Sequence, residues 1–261
     1  MDISCPCGAE VLLVLLVVVM SSGIVATYSI AVSHDHVRAA WPYISDTGDH
    51  APERFVFSLM CCVSGPIVIM IVLVHFKHIK LLVDSGLWRV FNCITFFIGC
   101  LAGCGLFLIG SFQNRTSLSF LHYTGAVMLF GGSLIYCSCV TLMSHFIIKV
   151  KLMKTVIRAT LCLCVLGGII TQLVATFIAN LQYDDDHDKN KHGRFHWSPS
   201  DKGYTAHLIS TGSEWFIMIV IFCFFFTYIT DFRNIRVSTA VTLKENHWYY
   251  RPAPGAVQPT N

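Results

Sequence analysis

An all-α fold, a bundle of six membrane-crossing helices with both termini in the cytosol, is what this sequence predicts, and three observations predict it. Six apolar stretches of about twenty residues lie between positions 11 and 230, each long enough for a helix to cross a hydrocarbon core roughly 30 Å thick. A composition that is 54% hydrophobic and 13% charged is ordinary in lipid and poorly soluble in water. Within hydrocarbon the backbone has no water to pair with, so each stretch must satisfy its amides and carbonyls internally as a helix.

The first stretch, residues 11–32, reads as a retained helix rather than a signal peptide. It exceeds an ordinary signal core, and the ten residues before it hold no Lys or Arg, only Asp2 and Glu10. The remaining spans read as 55–76, 90–110, 122–146, 159–180 and 206–230. Residues 1–230 therefore form one membrane domain, and 231–261 a flexible cytosolic tail. Assigning the termini and the connections 77–89 and 149–158 to the cytosol gives that side 11 Lys/Arg against 7 on the other, the orientation that positive loops favour. The tightest part of that bias, Lys149, Lys151, Lys154 and Arg158, is expected to contact anionic lipid, at about 1 kcal/mol per charge near the surface. Thr95, Gly99 and Gly103 recur at four-residue spacing on one face of the third span, and Gly131, Gly132, Gly167 and Gly168 offer further close helix approaches.

All twelve cysteines fall in spans or at the cytosolic N-terminus, which excludes a disulfide-stapled outer loop. Cys137 with Cys139, and Cys162 with Cys164, diverge around a helix axis and so read as soft packing rather than metal pairs. Cys5 and Cys7 are palmitoylation candidates. Asn114-Arg115-Thr116 is a formal glycosylation acceptor in a connection that hugs the membrane. His192-x-x-x-His196 beside Asp184, Asp185, Asp186 and Asp188 lacks a helix to fix metal-ligand spacing and reads as a solvated loop. No metal or cofactor is expected, and no nucleic-acid partner.

A charge in hydrocarbon is costly unless paired or wetted. Glu214 is the acid well inside a span, two helical turns from His207 on the same face, and His122 opens the fourth span at the same level. One reading is a proton-linked or headgroup-binding cluster. The other is a Glu214 hydrogen-bonded to the fourth span or the first outer loop, holding the bundle in register. Eight of twelve histidines (His34, His36, His50, His122, His187, His192, His196, His207) lie at the extracytosolic face, whose seven Lys/Arg against nine Asp/Glu would be recharged in an acidic compartment.

The first outer loop reads Trp41-Pro42-Tyr43-Ile44-Ser45-Asp46-Thr47-Gly48, then Pro52-Glu53. Its prolines fix φ, Asp46 and Thr47 can accept backbone amides, and Gly48 permits a tight turn, so an ordered loop is expected. Trp41 and Tyr43 suit the interfacial belt. Together with Phe91-Asn92, Phe112-Gln113, His122 with Gly125-Ala126, His207, Glu214-Trp215 and Asp231-Phe232, the loop resembles the damage-regulated autophagy modulators (DRAM proteins). They stand in a wider group with the transmembrane protein 150 relatives, the fungal Sfk proteins and the N-terminal region of Cwh-type proteins. The resemblance runs nearly end to end. It implies a six-helix protein of lysosomal or endosomal membranes that modulates autophagy through protein partners or lipids. Members nearer transmembrane protein 150 imply instead a plasma-membrane role with a phosphatidylinositol 4-kinase complex. An ion- or proton-linked transporter stays open through Glu214. A lipid hydrolase using His122, His207 and Glu214 is the catalytic reading, but nucleophile elbow, metalloprotease and phosphate-loop motifs are absent from the sequence, and no enzyme is expected.

Overall fold

The structure is a computed structural model that describes residues 3–4, 8–83, 86–114, 117–184 and 195–239. Cys5, Cys7, Arg115, Thr116, His192 and the run 185–188 lie outside the described residues. Among the described residues six helices are long and apolar enough to cross a membrane: α1 Glu10–Ser33, α2 Glu53–Leu82, α3 Leu87–Ser111, α4 Ser119–Ile148, α5 Leu152–Asp184 and α6 Tyr204–Phe232, the last with a turn after Phe226. Each contains its predicted apolar run and adds polar ends. Glu53 opens α2 behind Pro52, where a carboxylate faces the helix's positive end. Lys149, at φ 57°, lies between α4 and α5 in a connection of three residues, 149–151. Helix α4 widens to π-helical turns at Val127–Gly131 and Ser144–Ile148. Such turns are rare and frequent at functional sites.

Helix packing follows small residues, though only partly those expected. The Gly99 and Gly103 face is used: a Cβ on Gly99 would lie 2.6 Å from Val72, and one on Gly103 2.8 Å from Ile69 of α2. A close backbone approach outside that face joins Gly105 of α3 and Gly125 of α4. A Cβ on either would meet the other's carbonyl oxygen at 2.6–2.8 Å. Gly131 and Gly167, expected as close approaches, face open space, whereas Gly132 and Gly168 pack on Ala102 and Ile217. The ten described cysteines are free thiols.

The described segments that precede α1 and follow α6 meet at one end of the bundle. Ala9 donates its amide to the Ile235 carbonyl at 2.8 Å, and Ile3–Ser4 pairs antiparallel with Ser238–Thr239. Asp231, expected to open a flexible tail, is instead in α6, and Phe232 beside it is buried.

Asp231 also corrects the reading of the basic cluster. Arg158 is fully buried. It donates to the Asp231 carboxylate, the Thr227 carbonyl and hydroxyl, and Ser144 Oγ, with its guanidinium 3.8 Å from the Tyr228 ring centroid. Lys154 donates to the same carboxylate and to Thr230. Arg158 is therefore not a lipid contact, and Lys154 is engaged. Only Lys149 and Lys151 remain exposed. The reason is geometric: α5 starts at Leu152, so Arg158 lies almost two turns inside it and needs an internal counter-charge.

Candidate functional site

Residues 34–52, loop 1, join α1 to α2 at the end opposite the termini. Three consecutive residues bolt it to α6. The Pro42 carbonyl accepts the Trp215 indole N–H at 2.9 Å, Tyr43 Oη lies 2.6 Å from Ser210 Oγ, and the Ile44 amide donates to Glu214 Oε2 at 2.8 Å. Ser210 and Glu214 are four apart on α6 and share a face, which is why adjacent residues of one short loop segment can reach both. Thr47 then ties the loop to α1 through Thr27 Oγ1 at 3.0 Å, and Asp49 accepts the Asn114 amide at 2.9 Å. Loop 1 is an ordered cap.

Several roles within it differ from expectation. Thr47 donates to the Ile44 carbonyl rather than accepting an amide. Tyr43 turns inward, where burial pushes its phenol above the ordinary value against the opposing hydrogen bonds from Ser210 and Thr176. Trp41 is 61% exposed and meets the Trp215 ring edge-on. Gly48 sits in a 3₁₀ turn, Asp46–Gly48, at ordinary φ, so it is needed for space rather than conformational freedom: a Cβ there would lie 2.3 Å from Phe57 Cγ. Gly48→Ala should cost about 1–3 kcal/mol by overpacking. A melting temperature equal to wild type in detergent would contradict this contact. Asn114 is only 8% exposed, so its side chain is not presented for glycosylation.

Beneath the cap lies a cavity of about 990 Å³, at the upper end of small-molecule sites. Ser45, Asp46, His122, His207 and Glu214 line it, so the predicted polar cluster converges on one space. Each member keeps its own contacts. His122 Nδ1 bonds the Phe112 carbonyl at 2.7 Å, His207 stacks on Trp197 at 4.3 Å, and Glu214 is held by Ile44. Glu214 is thus both tied to the loop and set in the cavity wall. Helix α5 contributes Gln172, Thr176 and Asn180, polar residues outside the predicted cluster whose four-residue spacing places them on one face.

Deeper, the walls turn apolar at Met20, Met60, Leu106, Ile169 and Met218. Met218 lies eleven residues beyond His207 on α6, about 16 Å at helical rise, which is close to half of a roughly 30 Å hydrocarbon core. The side is open. Before Gly132, α4 packs mainly on α3, and Tyr123, Val127, Leu173 and Phe177 at the mouth between α4 and α5 are each more than half exposed. The arrangement can hold an amphiphile of the loop-side leaflet, with its polar part beneath loop 1 and its chain toward Met218.

Comparison with known proteins bears on what such a site serves. The DNA damage-regulated autophagy modulator protein 2 of Bos taurus is 31% identical over 230 residues, covering 87% of this chain and 85% of the relative. Human DNA damage-regulated autophagy modulator protein 1 is 25% identical over 238 residues, 87% of this chain and 93% of that one. The Danio rerio modulator of macroautophagy TMEM150B is 31% identical over 125 residues, 47% of this chain and 52% of its own. No solved structure matches. Residues 8–235, all six helices and loop 1 included, match the domain described as Frag1/DRAM/Sfk1/Cwh43P N-terminal, and the chain belongs to that family.

Proposed function

We propose that this protein modulates autophagy from lysosomal or endosomal membranes by holding a membrane lipid in the cavity under loop 1. The observation that carries the reading is the laterally open cavity, one leaflet deep, polar beneath loop 1 and apolar below. The names of the autophagy-modulator relatives supply its context. Both termini face the cytosol, as the Lys/Arg bias supports, which sets loop 1 toward the lumen. The action is non-catalytic: His122, His207 and Glu214 are each occupied by a structural contact rather than arranged as nucleophile and base.

In cells lacking the endogenous protein, a tagged wild type should reach endolysosomal membranes and restore autophagic flux on starvation. Gly131→Trp should reach the same membranes and restore less. Gly131 has helical φ and ψ, lines the cavity, and has nothing within 4 Å of an added Cβ, so an indole there fills the space without straining the backbone. Signal confined to the plasma membrane would count against the compartment, and full rescue by Gly131→Trp against the site.

The cytosolic contact with anionic lipid falls to Lys149 and Lys151. Neutralising both should weaken binding to phosphatidylserine vesicles by about 2 kcal/mol at most. The same change at Lys154 should instead lower stability by freeing one side of Asp231.

A further inference from the structure

Loop 1 carries a cluster that neither the cap nor the cavity uses. His36 follows α1, His50 nears the end of the loop, and Glu53 opens α2. One ligand atom of each lies within 4.8 Å of the others. His36 Nδ1 meets Glu53 Oε1, while Glu53 Oε2 is buried with no hydrogen-bond partner among the described residues and the whole residue is 0% exposed. A buried acceptor without a partner is unfavourable, the more so when charged, so the His36–Glu53 contact alone leaves half of this carboxylate unexplained. The two imidazoles stack at 4.6 Å and 19°, and the Phe195 ring meets His50 edge-on at 5.1 Å, which holds the two rings side by side.

We propose that His36, His50 and Glu53 bind one divalent transition-metal ion of the zinc type, through two imidazole nitrogens and the carboxylate. Two histidines and a glutamate with an open fourth position are a zinc donor set, and imidazole ligands favour zinc, copper or nickel over magnesium or calcium. Ligand atoms around a tetrahedral zinc stand about 3.4 Å apart at bond lengths near 2.1 Å. The His36–Glu53 contact, at 2.5 Å, therefore widens and the longer spacings, at most 4.8 Å, close through small side-chain movements, and His36, whose side chain is 26% exposed, has room to make them. Its exposure also gives an ion a way in. Once bound, the ion joins the exit of α1 to the entry of α2 across 17 residues and restrains the loop whose Ile44 amide holds Glu214. The proposal rests on residues at the two ends of loop 1 and the start of α2 and is independent of the lipid reading. The site escaped the sequence because its ligands are separated by 14 and 3 positions in a segment with no predicted helix.

The test uses the purified full-length protein in detergent, stripped with a chelator and titrated with Zn²⁺ and separately with Co²⁺. Wild type should take up one equivalent of Zn²⁺, and Co²⁺ should give the visible absorption of a tetrahedral site. Glu53→Gln, which keeps a partner for His36, and His50→Ala should each weaken Zn²⁺ binding at least tenfold. His145→Ala, at the other end of the bundle, should leave it unchanged. Should either site variant fail to fold, the wild-type stoichiometry and the Co²⁺ spectrum decide. Wild type that binds no stoichiometric Zn²⁺, or a folded Glu53→Gln with wild-type affinity, overturns the site.

Discussion

Asp231→Ala should destabilise the bundle by about 3–5 kcal/mol, the cost of leaving a buried charge without its partner. Arg158 is 0% exposed and directs one arm of its guanidinium at Asp231 and the other at Ser144. Removing the carboxylate strands that charge between α4, α5 and α6 and also releases Lys154. Total stabilities of about 5–15 kcal/mol leave little reserve for such a loss. The double change Arg158→Met with Asp231→Leu should recover much of it, because a buried pair exchanged for apolar side chains of similar volume is often close to neutral. Thermal unfolding in detergent checks both. Asp231→Ala with wild-type stability would show that the pair is not structurally required.

Glu214→Leu should cost about 1–3 kcal/mol, since the buried Ile44 amide loses its acceptor, and should loosen loop 1 from α6. Glu214→Gln retains a side-chain carbonyl at the same reach and should keep both stability and a protected loop. Limited proteolysis separates the outcomes. Cleavage within residues 34–52 should accelerate in the Leu variant and not in the Gln variant. Equal protection of both variants would mean that the Trp215–Pro42 and Tyr43–Ser210 bonds suffice to hold the cap.

The parts of this structure that were legible in the sequence depend on local chemistry. Six apolar runs specify six helices because bilayer thickness fixes their length. The Gly99 and Gly103 face was readable from its four-residue spacing. The Pro42-Tyr43-Ile44 segment was recognisable as ordered, although its anchoring to Ser210, Glu214 and Trp215 spans more than 160 positions and has no local signature. Arg158 misled for the same reason: a cation beside an apolar run looks like a topology signal until its counter-ion, 73 positions away, is seen. The cavity was invisible because it arises where α4 and α5 do not meet, and the sequence carries no mark of a contact that is missing.

Native mass spectrometry of the protein released from lipid nanodiscs counts the lipid molecules retained per chain and so tests the lipid-binding cavity directly. Wild type should retain one lipid under conditions that strip the surface annulus, and Gly131→Trp, folded and with an unchanged melting temperature, should retain none. Equal retention by wild type and Gly131→Trp would contradict the cavity as the lipid's seat.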